Sequence, residues 1–251
     1  MGKILIFFLA FLGCFSLWAV PTDGLAGYWK GDGTAEDFSF YEKDGTLVGD
    51  TTYDTGYFGQ AFKFDGSEDY VRIGNHSNLN FTSAMSVSAW INPQGPGSSP
   101  TWGGMIINKE NSYEIARAQN GNIIWAFANS TPGWNWIDTG INTALNTWSH
   151  ITLTYAGGVV KTYLNGVLQH TYNGSGNITV TSQQFWIGAR EGGGQRFHGL
   201  IDEVAVYNRA LSSSEATEAM MSNIPEPGSF LLLSFSLLSG VLVIYKNRRK
   251  N

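Results

Sequence analysis

Three tryptophans, Trp102, Trp134 and Trp136, stand beside Gly, Ser, Pro, Thr and Asn, in stretches where turn formers dominate. An indole in that setting has the chemistry of a platform. Its face takes the C–H side of a sugar ring, while Asn, Asp and Arg side chains bond the hydroxyls. The turn-rich stretches run over residues 93–104, 129–140 and 190–196, and Arg190 opens the third. Loops of this composition are where binding residues concentrate. Trp102, Trp134, Trp136 and Arg190 are therefore the candidate ligand contacts, with rings that merely cap the ends of a core as the alternative. Trp29, Trp90, Trp125 and Trp148 lie inside alternating patterns and read as core.

Other chemistries find less support. The four histidines, His76, His150, His170 and His198, have no Ser or Cys nucleophile constellation, and no His/Cys cluster suits zinc. Asp202 and Glu203 are adjacent, so on a regular strand they point to opposite faces and cannot act as a pair. The net charge is −5 and the basic residues are not clustered in the middle of the chain, which argues against nucleic acid as a partner. The one cysteine is Cys14, so the segment beyond it holds no disulfide.

The elements that must position these residues are strands. From residue 24 to 211 the pattern has period two with frequent turns. Strands are predicted at 25–29, 60–64, 69–73, 85–91, 105–109, 113–117, 123–127, 148–155, 159–164, 167–172, 185–188 and 200–207. Asn165-Gly166 is the strongest hairpin signal, because both turn positions need positive φ. Over Leu200–Tyr207 apolar residues occupy both faces, Leu200, Val204 and Val206 on one and Ile201, Ala205 and Tyr207 on the other, as in a strand covered on both sides. Ser212 and Glu215 form a capping box that starts a short helix ending near Met221. The expected class is all-β, two stacked antiparallel sheets over residues 20–222.

Ordered motifs carry a resemblance. Gly199-Leu-Ile-Asp-Glu-Val-Ala-Val-Tyr-Asn-Arg-Ala-Leu-Ser212 resembles the closing motif of bacterial laminin-G-like, concanavalin A-like jelly-roll domains. Gly27-Tyr28-Trp29 with Asp37, the run Gly56 to Gly66, Tyr70–Ile73, Ser86–Ile91, Trp148 and Tyr163–Gly166 match further signatures in order. The resemblance implies a jelly-roll sandwich and a non-catalytic domain that binds carbohydrate or another extracellular polymer, with a ligand-free structural matrix protein as the alternative. It also implies a structural calcium where the first and last strands meet, for which Asp32 and Asp202 are the candidates and Asp37, Asp44 and Asp65 weaker ones. The Glu-x-Asp-x-x-Glu spacing of the glucanase branch is absent, so a glycosidase is the least supported reading.

The two ends read as addresses. Residues 1–19, with Lys3 and the apolar run Ile4–Leu12, read as a secretory signal peptide cleaved after Ala19. Residues 223–251 divide into Pro225-Glu226-Pro227, an uncharged stretch over 228–245 long enough to span a bilayer as one helix, and a basic end over 246–251. This tail resembles a PEP-CTERM sorting signal. The resemblance implies processing by an exosortase, a membrane-anchored intermediate, and delivery to the cell surface or extracellular matrix of a Gram-negative bacterium.

Overall fold

The computed structural model describes residues 21–221. The signal-peptide and sorting-tail readings fall outside the described residues. Fifteen strands and one α-helix form within them, besides a single 3-10 turn at Ser77–Leu79: β1 (Leu25–Trp29), β2 (Thr46–Val48), β3 (Thr52–Thr55), β4 (Gln60–Asp65), β5 (Tyr70–Gly74), β6 (Ala84–Pro93), β7 (Gly104–Lys109), β8 (Tyr113–Arg117), β9 (Asn122–Phe127), β10 (Ile137–Asn142), β11 (Ser149–Ala156), β12 (Val159–Leu164), β13 (Val167–Asn173), β14 (Phe185–Ile187), β15 (His198–Tyr207) and α1 (Ser213–Met221).

The strands make two antiparallel sheets. Sheet A has the order β13-β12-β11-β6-β15-β4-β3, with β1 also paired to β15; sheet B has the order β10-β9-β8-β7-β14-β5-β2. The alternation of each strand turns one row of side chains inward. Trp29, Phe62, Phe64, Val87, Ile91, Ile107, Ile115, Trp125, Phe127, Leu153, Phe185, Ile201, Val204 and Val206 meet there in one buried core. This is an all-β jelly-roll sandwich.

The phase of β15 differs from strict alternation. Ile201 sits in the intersheet core together with Val204 and Val206, while Ala205 and Tyr207 join Tyr28 and Leu211 in a second cluster on the outer side of sheet A. A bulge explains the slip: the β15–β6 register breaks between Asp202 and Ala205, and Glu203 has φ 53°. The Tyr28 hydroxyl donates to Glu203, which places that carboxylate with the outer cluster. Asp202 pairs with Trp90, a residue outside the main core, so the two adjacent carboxylates are not separated onto opposite faces.

Two tryptophans also depart from the core expectation. Trp90 is buried but lies outside the intersheet core, stacked on Tyr57 with ring centroids 3.4 Å apart. Trp148 precedes β11 and meets Tyr57 edge-on. The capping box forms as expected: Ser212 N–H donates to Glu215 Oε2 at 2.8 Å and Glu215 N–H to Ser212 Oγ at 3.3 Å. Among the described residues, no helix is long and apolar enough to cross a membrane.

Candidate functional site

Cross-strand pairing aligns Met105 (β7), Ala116 (β8), Ile124 (β9) and Asp138 (β10) in one row on the outer face of sheet B. Met105, Ala116, Ala118 and Ile124 form a small apolar cluster, and Trp136 packs against it just before β10 begins. Trp102 arrives from the loop between β6 and β7. Its backbone N–H donates to Ser99 Oγ at 3.0 Å, and Ser99 and Gly103 pair across the tight turn. Gly103 has φ 66°, and a Cβ there would stand 2.0 Å from the Arg117 carbonyl oxygen, so only glycine lets the loop lie this close to the end of β8.

The result is an open pocket of about 490 Å³ lined by Pro100, Thr101, Trp102, Ala118, Gln119, Asn120, Ile124, Trp136 and Asp138. The two indoles are stacked, with centroids 5.9 Å apart and planes 23° from parallel, and Trp102 is 41% exposed. Asp138 Oδ1 accepts from Gly140 N–H at 2.8 Å, and both its oxygens accept from Asn122 Nδ2 at 3.0 and 3.1 Å. The arrangement offers a flat aromatic surface, an apolar floor and a polar rim. That is the donor and acceptor pattern of a saccharide site.

Of the four residues expected to contact a ligand, Trp102 and Trp136 line this pocket and Trp134 and Arg190 do not. Trp134 is half-buried in the stretch before Trp136. Arg190 is committed elsewhere, and its charge explains why. Its Nε and Nη2 make two 2.7 Å bonds to the Glu110 carboxylate, its Nη1 donates to Gln195 Oε1 at 3.2 Å, and its Nε also lies 3.2 Å from Glu114 Oε1. Asn108 Nδ2 donates to Glu114 Oε1 at 2.5 Å, and Asn108 Oδ1 accepts from Glu191 N–H at 2.9 Å. Burial, and then the neighbouring Glu110 carboxylate, push the Glu114 carboxyl up to about 9, so it carries its proton at neutral pH. Burial also works to raise Glu110, but its bonds from Arg190 win and hold it below the ordinary value.

Glu110 and Glu114 are a pair of carboxylates that sequence reasoning did not anticipate, four residues apart across the β7–β8 hairpin. They line neither open pocket. The pocket partners Gln119, Asn120, Ile124 and Asp138 were missed as well. The signal for Asp138 was present as alternation from Ile137 to Ile141, hidden inside a stretch read as loop.

The candidate calcium ligands do come together. Asp32 Oδ1 accepts from Gln60 N–H at 2.7 Å, and Asp202 Oδ2 accepts from Tyr57 and Phe58 N–H at 2.8 and 3.0 Å, so the two carboxylates bracket the β3–β4 turn. Asp202 Oδ1 is buried without a hydrogen-bond partner. Burial and, to a lesser degree, the Asp32 charge push Asp202 up to about 8. An orphaned carboxylate oxygen beside a second carboxylate fits a calcium ion, provided backbone carbonyls and water complete the oxygen shell. Among the described residues, no group of three His, Cys, Asp or Glu side chains converges as a metal centre. The weaker candidates have other employment. Asp37 accepts from the N–H groups of Tyr28, Ser39 and Lys43, and Asp44 accepts from Asp37 N–H. Asp65 sits in a small acidic depression with Asp50, Glu68 and Asp69, away from Asp202.

The fold and this geometry define a class. The family described as the concanavalin A-like lectin/glucanases superfamily matches residues 65–217, more than half of the chain, and the chain belongs to it. Among solved structures it is similar to domain 4 of AbnA, an extracellular GH43 arabinanase from Geobacillus stearothermophilus in complex with arabinotriose. That match has 22% identity and a TM-score of 0.63, and covers 78% of this chain and 98% of that one. It is also similar to the binding domain of Paraclostridial Mosquitocidal Protein 1, at 17% identity and TM-score 0.64, covering 79% of this chain and 52% of that one. The ligand binding domain of botulinum neurotoxin serotype D, in complex with N-acetylneuraminic acid, matches at 20% identity and TM-score 0.64, covering 80% of this chain and 51% of that one. The chain thus spans about half the length of the toxin domains. No curated protein matches it in sequence.

Proposed function

We propose that this domain is a non-catalytic carbohydrate-binding module that takes a short saccharide in the Trp102–Trp136 pocket. The observation that carries the reading is the pair of stacked indoles over an apolar floor, open to solvent and rimmed by Gln119, Asn120 and Asp138. Structural relatives solved with arabinotriose and with N-acetylneuraminic acid support a binding role. A glycan-array screen, followed by titration of the hits, tests it. Binding that is lost in Trp136→Ala while the protein stays folded supports the module. No binding at millimolar ligand refutes it and leaves a structural matrix protein as the better reading.

Calcium is proposed as structural, held by Asp32 and Asp202 with backbone carbonyls. It would bind only the folded state and so raise the melting temperature. Asp202→Ala should abolish that rise, and a melting curve indifferent to excess chelator would rule the ion out.

The ends supply the proposed address. The leader over 1–19 would send the domain outward, and the span over 228–245 with its basic end would hold it in the inner membrane until an exosortase-type enzyme acts near Pro225-Glu226-Pro227. The domain would then reach the cell surface or extracellular matrix. In a host with an exosortase, replacing those three residues with alanine should leave full-length, membrane-bound protein. Mature surface protein that still carries residues 246–251 would sink the processing proposal.

A further inference from the structure

We infer that the Trp102–Trp136 pocket is selective for uncharged saccharides, that it holds them by a vicinal hydroxyl pair on Asp138, and that it turns away sugars bearing a carboxylate. The inference rests on the saccharide reading above and narrows its ligand.

Asp138 is the only charged side chain among the nine that line the pocket, and none of the others is Lys, Arg or His. It is held as a fixed acceptor. Gly140 N–H and Asn122 Nδ2 hold the carboxylate in place. An ionised carboxylate has about four lone-pair positions on its two oxygens. Those that remain free on the pocket side can accept but cannot donate. Two adjacent sugar hydroxyls are two donors at the spacing of two carboxylate oxygens. A carboxylate on the ligand would instead meet Asp138 as a like charge.

Among the described residues, no Lys, Arg or His lines the pocket to reverse that balance. Arg117 precedes the pocket residues Ala118, Gln119 and Asn120, but it is 6% exposed. Its Nε donates to Thr143 Oγ1 at 3.0 Å and its Nη2 to Thr143 O at 2.8 Å. His170 on β13 is close enough for its charge to be felt by Asp138. Burial lowers its pKa, so it is neutral near pH 7. The remaining polar groups, the amides of Gln119 and Asn120, donate and accept alike and suit neutral hydroxyls.

The test uses the full-length protein in a detergent without a sugar headgroup. It compares matched ligands that differ in a carboxylate: galactotriose with trigalacturonate, and the methyl ester of 3′-sialyllactose with the free acid, with arabinotriose as a further neutral probe. Tryptophan fluorescence and calorimetry read the affinity. The neutral member of each pair should bind about tenfold tighter or more at low salt, as expected for like charges a few ångströms apart near a protein surface. The gap should shrink at 0.5 M KCl, where charges are screened over a few ångströms. Asp138→Asn should weaken the neutral ligands and bring the pair to within about threefold of each other. Because that variant could disturb the Asn122 contact, the salt series on the unaltered protein stands as the second measure. If an acidic sugar binds as tightly as its neutral partner, through a site that Trp136→Ala destroys, the selectivity is overturned and the saccharide reading survives. If discrimination persists unchanged at high salt and in Asp138→Asn, the charge argument is overturned. If no sugar of either kind binds, the saccharide reading itself falls.

Discussion

Two rows of side chains lie side by side on the outer face of sheet B, two residues apart on β8 and β9 and three apart on β7, where a register shift intervenes. One runs Met105–Ala116–Ile124–Asp138; the other runs Trp186–Asn108–Glu114–Ala126. Both bring together aromatic, apolar and charged groups, with Trp136 packed against the first row and Trp186 part of the second. The first has Met105, Ala116 and Ile124 covered, but it ends at an exposed carboxylate, Asp138, that lines an open pocket. The second is sealed: Glu114 and Asn108 are fully buried, and the loop from Arg190 to Arg196 lies over them. The difference is one of partners. A buried carboxylate persists only where protein groups satisfy or neutralise it, whereas a rim carboxylate can wait for a ligand. Aromatic and charged residues on a sheet face are therefore not by themselves a site. What separates ligand chemistry from structural chemistry here is whether the protein has already used the groups.

The largest way to break this contrast is Arg190→Ala. It leaves Glu110 without its cation and removes two charged hydrogen bonds from a part-buried pair, a loss of about 2–3 kcal/mol. Denaturant unfolding should show that loss, while the folded fraction keeps its saccharide affinity. A change under about 0.5 kcal/mol would mean that Arg190 does not hold the sealed row.

The second effect is a pH dependence to which the sealed row contributes through Glu114. The folded-state value of Glu114 lies near 9, above the unfolded value of 4.5, so its protonated form stabilises the fold most at low pH and that stability is lost as pH rises toward 9. Between pH 6.5 and 8 one such group costs about 1.4 kcal/mol for each pH unit. Asp202 and Glu203, both raised to about 8, act in the same direction. Lys109, lowered to about 8, opposes them only above that pH. Glu114→Gln should flatten the slope by one group's share, and an unchanged slope would show that Glu114 is not protonated in the fold. On the acid side the sign reverses. His150, buried with neither ring nitrogen bonded and pushed down to about 3, contributes stability that is full above pH 6.5 and lost as pH falls toward 3.

The frame of this contrast was legible in the sequence. Period-two runs located most of the central strands, and Asn165-Gly166 turns β12 into β13 as its chemistry requires. Three things were not legible. The short strands β2 and β3 and the edge strand β10 carry too few apolar residues to stand out from turns. The bulge at Glu203 shifts the phase of β15, and nothing local marks a glutamate for positive φ. Composition placed Trp102, Trp134, Trp136 and Arg190 in one class, yet only long-range partners such as Glu110 decide which of them remains available to a ligand.

The third effect sharpens the open row. Trp102→Ala removes a ring that is 41% exposed and otherwise rests on Trp136, so stability should change by less than about 1 kcal/mol. The same change should cost about 1 kcal/mol or more of saccharide binding. Trp136→Ala should cost at least as much binding and some stability besides, because its ring also covers Ala116 and Ile124. If binding is retained in both variants, the pocket is not the site.

The smallest effect separates two tryptophans that the sequence treats as equals. Trp134 and Trp136 are two residues apart, and a regular strand would put them on the same face. The backbone is not yet a strand there. Thr131 bridges to Ser175, Asn129 Oδ1 accepts from Gly133 N–H at 3.1 Å, Asn135 N–H bonds the Gly133 carbonyl at 2.8 Å, and β10 starts only at Ile137. These turns uncouple the two rings, so Trp136 enters the pocket and Trp134 does not. Trp134→Ala should therefore shift saccharide affinity by less than about twofold, well under 1 kcal/mol. Trp136→Ala should weaken it by about tenfold on the same ligand. A single titration series on both variants decides the matter. Equal losses would mean that the ligand extends past the pocket along residues 129–136 and that the open row is longer than its four cross-strand positions. A loss at Trp134 alone would move the site off sheet B and refute the assignment to the Trp102–Trp136 pair.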